Sequence, residues 1–243
     1  MSFNVDVCFT PAEAEHLTIS NNTAIVVVDI LRATTAMVSA LEHGARSVIP
    51  VLSIEKAMEL KKIGFPVAAE RDGVMLSFAN FGNSAFAFQK GEVKNQKLVF
   101  TTTNGTLAIE TACRKSQTVL VGAFSNISAL AQRIAKQESD VLILCAGWKN
   151  TFGLEDTIFA GAFIEKLLEQ KEYKITNDSA YAAIDLWNIA KTDVMQYIEK
   201  AAHRQRLHVL GVDDVLEFSF RNDTSAVVPM MRDGELVDVN QNS

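Results

Sequence analysis

The stretch AIVVVDI, Ala24 to Ile30, constrains the fold more than any other part of this chain. It has no polar alternation, so it reads as a strand buried on both faces. Short apolar runs of the same kind recur as SVIPV, PVAAE, KLVF, TVLVGAF and DVLILCAG. Helix-like segments lie between them. RATTAMVSALEHG ends at Gly44, and SIEKAMELKKIG has Ser53 placed as N-cap and Gly64 as stop. TLAIETACRK and ISALAQRIAK follow, the second with Ser125 or Asn126 as cap. Strands alternating with helices predict an α/β fold, a largely parallel sheet covered by helices.

The C-terminal part has a different character. From Asp156 to Gly211 the pattern is mostly helical, and AVVPMMRDGELVDV reads as a hairpin around Asp233-Gly234. A mixed sheet is therefore expected, within a single domain spanning residues 1–243. The segment DGVMLSFANFGNSAFAFQKGEV has no clear period, and long irregular segments inside a compact domain are often functional. No solenoid repeat or low-complexity tract is present.

Charge and cysteine content narrow the function classes. The 23 basic and 29 acidic residues leave a net charge of −6, which argues against nucleic acid as main partner. The N-terminus lacks a basic region and a long apolar stretch, so no signal peptide is read there. The most apolar run, AIVVVDILRA, is too short and too charged to span a bilayer. The cysteines Cys8, Cys113 and Cys145 form no CxxC, which suggests a reducing cytoplasm. A homodimer is the base-rate expectation for oligomeric state.

In open α/β sheets, ligands bind beyond the carboxyl ends of strands. Those ends here carry Asp29 with Arg32, Thr34 and Thr35; Glu70, Arg71 and Asp72; the joint TTTNGT; Ser125 and Asn126; and Cys145, Gly147, Glu155 and Asp156. If the strands are parallel, these groups converge on one edge. Carboxylates suit Mg²⁺, arginine suits a phosphate or sulfonate, and a helix N-terminus built of small residues suits an anion. Together they describe a metal-assisted site for an anionic substrate, most simply a phosphate ester.

Each element also has a plainer reading. Asp29 fits a helix cap as well as a metal ligand, and Arg32 can simply pair with Asp29. ERDG fits a surface turn. Glu155 and Asp156 suit the first turn of a helix, and TTTNGT suits a turn with Asn-Gly at its corner. His16, His43, His203 and His208 have no ligand spacing and are expected at surfaces or helix ends. For Cys145 a buried structural thiol is the stronger reading, although its strand-end place leaves a nucleophile open. Walker, dinucleotide-binding and GxSxG signatures are absent.

The motifs VVVDILRATT, ERDG, FGNS, VFTTTNGT, GAFSN, LCAG and LEDTIFAG occur in the order seen in the 2-phosphosulfolactate phosphatase family, which this chain resembles from about Asn4 to Val237. The resemblance implies a three-layer α/β/α fold and Mg²⁺-dependent hydrolysis of 2-phosphosulfolactate to 3-sulfolactate and phosphate, a step on a route to coenzyme M. Ala85 departs from the proline associated with that family after GNS. With the strand-end groups above, one Mg²⁺ is expected to be held by some of Asp29, Glu70, Asp72, Glu155 and Asp156. Asp29, Arg32, Glu70, Asp72 and Asn104 are the catalytic candidates. Substrate contacts are expected from Thr102, Thr103, Asn104, Gly105, Thr106, Asn126 and Cys145, with Arg71, Asn83 and Ser84 at the sulfonate and carboxylate end.

Overall fold

The apolar runs form the interior of an eleven-stranded sheet in the computed structural model, which describes residues 3–240. In chain order the elements are β1 (Phe3–Cys8), α1 (Pro11–Glu15), β2 (Thr23–Val28), α2 (Ala33–Glu42), β3 (Ser47–Pro50), α3 (Ile54–Lys62), β4 (Val67–Arg71), β5 (Val74–Met75), β6 (Lys97–Thr101), α4 (Gly105–Lys115), β7 (Val119–Gly122), α5 (Ile127–Ala135), β8 (Asp140–Cys145), α6 (Leu154–Gln170), β9 (Tyr173–Ile175), α7 (Asp178–Ala190), α8 (Val194–Ile198), α9 (Ala202–Val209), α10 (Leu216–Ser219), β10 (Pro229–Arg232) and β11 (Glu235–Asp238).

β2 is an interior strand, as its composition requires: all six of its residues are buried. Val26 and Val28 pack into one core with Leu130, Phe159 and Phe163 of α5 and α6. Ile25 and Val27 pack into a second core with Met37 and Leu41 of α2 and Ile109 of α4. The sheet is thus covered on both faces, in three layers. Nine of the ten residues of α2 are buried, which explains why its sequence shows no polar stripe. The irregular segment after β5 lies over this helix, where Ser39 Oγ donates to Ala85 O at 2.7 Å.

The strand order is β5-β4-β6-β3-β11-β10-β7-β2-β8-β1-β9. β4, β6 and β3 form one parallel block, and β7, β2, β8, β1 and β9 form another. The C-terminal hairpin lies between them and pairs antiparallel with both. Its turn has Asp233 at φ 50° and Gly234 at φ 83°, the geometry that Asp-Gly favours in a two-residue hairpin. Three antiparallel pairings separate β3 from β7, so the two blocks run in opposite senses rather than as one parallel array. The hairpin meets each block through a single paired residue, Leu236 with Val48 and Met230 with Leu120. Sheet twist of roughly 20–25° per strand pair adds across this seam. The strand ends of both blocks still meet, as the side chains below establish.

Ser53 caps α3 as expected, accepting from Lys56 N at 3.0 Å. Asn126 occupies the N-cap position of α5, one of the two expected, but its side chain does not cap the helix. Asp223, far along the chain, accepts from Ser128 N at 2.9 Å, while Asn126 turns its oxygen back to Ala123 N. Among the described residues, no helix is long and apolar enough to cross a membrane.

Candidate active site

A narrow cleft of about 10 Å³ gathers Asp29, Arg32, Glu70, Asn83, Asn104 and His203. They come from the end of β2, the start of α2, the end of β4, the irregular segment, the β6–α4 joint and α9. A larger hollow lies near Gly44, Lys94, Lys97 and Glu235, but its arginine, Arg46, is exposed and Glu235 is paired with Lys97.

Asp29 is 6% exposed. Its Oδ1 accepts from Ala33 N at 3.1 Å, and its own N–H donates to Thr34 Oγ1 at 2.9 Å. It is therefore a helix-capping group and a cleft residue at once. Burial pushes its carboxyl up to about 6; nearby Glu70 and Glu155 add to the shift, and His203 and the Ala33 N–H oppose it. Arg32 does not pair with Asp29 within 4 Å. Its guanidinium donates to Val212 O at 3.0 Å and Gly73 O at 3.2 Å, and the buried group is biased downward by desolvation. Neutral carbonyls orient this cation without neutralising it.

The ERDG motif divides. Glu70 is buried and accepts from Gly73 N at 2.6 Å and Thr103 N at 2.7 Å. Asp72, expected as a metal ligand and catalytic group, sits instead in the β4–β5 turn at φ 51°, exposed, with Lys149 Nζ 2.6 Å away. Arg71 is tied to Glu70 O, Leu52 O and Thr101 Oγ1 and does not line the cleft.

The TTTNGT joint is a strand-to-helix turn that meets Asp29. An added Cβ on Gly105 would lie 2.5 Å from Ala33 Cβ and 2.9 Å from Asp29 Oδ2. Thr102 and Thr106 spend their hydroxyls on each other's backbone. Thr103 turns its hydroxyl to Glu70, 3.4 Å away, and accepts from Asp72 N. Asn104 Oδ1 accepts from Lys149 N at 2.9 Å, tying the joint to the loop after β8. Of the remaining FGNS pair, Asn83 enters the cleft and its buried Oδ1 has no hydrogen-bond partner. Ser84 donates to Asp214 instead.

Three expected residues lie elsewhere. Asn126 is fully buried and consumed by backbone groups, donating to Val227 O at 2.8 Å and accepting from Ala123 N. Cys145 is in the core, and desolvation holds its thiol well above the usual range, so it stays protonated. Asp156 is a clamp: it accepts from Ile30 N at 2.8 Å and Gly147 N at 2.9 Å, and burial keeps its carboxyl raised. Glu155 is bonded to His203, Oε1 to Nδ1 at 2.8 Å.

His203 stands at a helix end as expected, in the first turn of α9, but not at the surface: it is 8% exposed, and its ring centre is 4.9 Å from that of Trp148. The spacing of His203, Arg206 and Leu207 puts them on one helix face, and that is the local signal that could have singled it out.

Among the described residues, no three His, Cys, Asp or Glu side chains gather as a metal cluster. Mg²⁺ commonly takes only one or two carboxylates, with water and phosphate oxygens completing its shell. Asp29 and Glu70, with the orphaned oxygen of Asn83 beside them, supply an oxygen-only donor set of that kind.

The family model described as 2-phosphosulpholactate phosphatase matches residues 8–234. A "Probable 2-phosphosulfolactate phosphatase" of Thermotoga maritima is 34% identical over 87% of this chain and 90% of its own length. Proteins of the same description from Clostridium novyi and Clostridium tetani are each 32% identical, covering 93% and 95% of this chain and 95% and 98% of their own lengths.

Proposed function

Because the chain belongs to the 2-phosphosulfolactate phosphatase family, we propose that it hydrolyses 2-phosphosulfolactate to 3-sulfolactate and inorganic phosphate with the help of Mg²⁺. The observation that carries the reading is Arg32. Its buried guanidinium is held by two carbonyls, faces the cleft and has no carboxylate within 4 Å. A phosphoryl group is the natural complement of such a fork of donors.

Arg32 and the start of α4 bind the phosphoryl group, with Gly105 letting the start of α4 close on Ala33 and Asp29 and the helix end favouring the anion. Asp29 and Glu70 hold the metal, which when bound supplies charge neutralisation on the phosphoryl oxygens. Glu70 is kept in place by the N–H groups of Gly73 and Thr103, and Asp29 by that of Ala33. Asn83 adds a polar contact to the bound substrate. The small cleft limits water around the reacting bond, which strengthens each of these interactions.

Phosphate release from 2-phosphosulfolactate, measured with Mg²⁺, with EDTA, and with Mg²⁺ restored in excess, tests the reading. Turnover that stops on chelation and returns with Mg²⁺ is expected. Turnover indifferent to chelation removes the metal, and no release with any divalent cation removes the function.

A further inference from the structure

We infer that His203 is the general acid of this site, donating the proton that the leaving oxygen of the substrate needs, and that Glu155 is its positioning residue. The inference rests on the reading in the preceding subsection. Phosphate-ester cleavage expels an alkoxide at C2 of the substrate, a poor leaving group unless it is protonated as the bond breaks. Something in the cleft must then present a transferable proton.

Most groups in and around the cleft cannot. Arg32 does not release a proton. Glu70 is held as an acceptor by two backbone N–H groups, Asp29 is committed to the metal, and Asp156 is buried outside the cleft. Asn83 and Asn104 are amides, and Cys145 lies in the core. His203 differs. Its Nδ1 is 2.8 Å from Glu155 Oε1, the two side chains being 9% and 3% exposed. A carboxylate at one ring nitrogen fixes the tautomer and leaves the other to exchange a proton. The other, Nε2, makes no hydrogen bond to any described residue, and the ring forms part of the cleft wall. Trp148 packs against the ring.

The step balances. Water adds to phosphorus as the bond from phosphorus to the C2 oxygen breaks, and the electron pair stays on that oxygen. The oxygen takes the proton from Nε2, giving the alcohol, dihydrogen phosphate and neutral His203. The phosphate then returns one proton to the ring, directly or through water, and leaves as hydrogen phosphate.

The test uses the full chain with Mg²⁺ and 2-phosphosulfolactate. His203→Gln is expected to lower kcat by about 10²–10⁴-fold with KM within a few-fold, and added imidazole is expected to restore turnover to His203→Ala. Glu155→Gln is expected to lower kcat with the Mg²⁺ concentration for half-activation unchanged, and Glu155→Asp to recover part of the loss. A folded His203→Gln with kcat within threefold of wild type overturns the inference. So does a loss in His203→Ala that imidazole leaves untouched, or a Glu155→Gln defect that excess Mg²⁺ repairs. Wild-type turnover is measured first in the same assay. Its absence defeats the proposed function along with this inference, whereas turnover with an indifferent His203 defeats this inference alone.

Discussion

Gly105 at the start of α4 is packed so closely on Ala33 at the start of α2 that a Cβ on the glycine would lie 2.5 Å from the alanine's. Two helix N-termini thereby meet across Asp29, whose Oδ2 would be 2.9 Å from the same Cβ. This contact ties the β2 block to the β6 block where the chemistry is expected.

Gly105→Ala therefore forces the two helix ends apart. Overpacking of this kind typically destabilises by 1–3 kcal/mol. Activity is expected to fall much further than that loss of stability explains, because the displaced groups are Asp29 and the anion-facing end of α4. Thermal melts alongside kinetics at a temperature where the variant is fully folded check this. Wild-type kcat/KM in a folded Gly105→Ala would show that close approach is not required.

Arg32→Lys keeps the charge but loses the planar fork that donates to Val212 O and Gly73 O. A point charge on a flexible stem does not hold the same orientation. Loss of one preorganised donor to a transition state typically lowers rate by about 10²–10³-fold, and Arg32→Lys is expected in that range, with Arg32→Ala lower still. Steady-state kinetics decide. A lysine variant within threefold of wild type would mean that charge alone suffices.

The layered fold was legible because its signals are local. The apolar run at β2 requires burial on both faces, and Asp233-Gly234 specifies its turn. The site was legible only in part. Asp29, Arg32, Glu70, Asn104 and Gly105 sit at joints that short-range rules mark as strand ends, whereas Asn83 lies in the irregular segment after β5. Asp72 and Glu70 share a motif, yet one enters the cleft and the other faces solvent, because a tight turn follows Glu70. Asn126 looked available since its acceptor, Val227 O, lies 101 residues away. His203 was missed for the same reason: Glu155, which gives it meaning, is 48 residues distant.

Cys145 offers a clean separation of thiol chemistry from packing. Its side chain is fully buried in the core behind β8, with its thiol held neutral by desolvation. Cys145→Ala is expected to lose a modest amount of stability, of order 1 kcal/mol for a small buried group, and to keep kcat. A folded Cys145→Ala without turnover would place the thiol in the reaction after all.

Asp29 sets function against stability in a way that pH reveals. Its carboxyl rises from 3.8 to about 6 in the folded chain, chiefly through burial, so the folded state holds the proton more tightly than the unfolded one. Stability of the metal-free protein must then fall as pH rises from about 4 to about 6 and level off above. At 1.36 kcal/mol per unit, the ionised group costs roughly 3 kcal/mol at neutral pH. Asp29→Asn removes that charge, and its amide oxygen can still accept from Ala33 N. In EDTA the variant is expected to be more stable than wild type at pH 7.5, by about 1–3 kcal/mol, and equal to it near pH 4. Mg²⁺ reverses the order at neutral pH by binding the folded wild type, while the variant stays inactive. Urea titrations of both proteins at both pH values, with and without Mg²⁺, measure the stabilities, and phosphate release measures the activity. A variant less stable than wild type in EDTA at pH 7.5 would show that the buried carboxylate is already compensated by the protein itself.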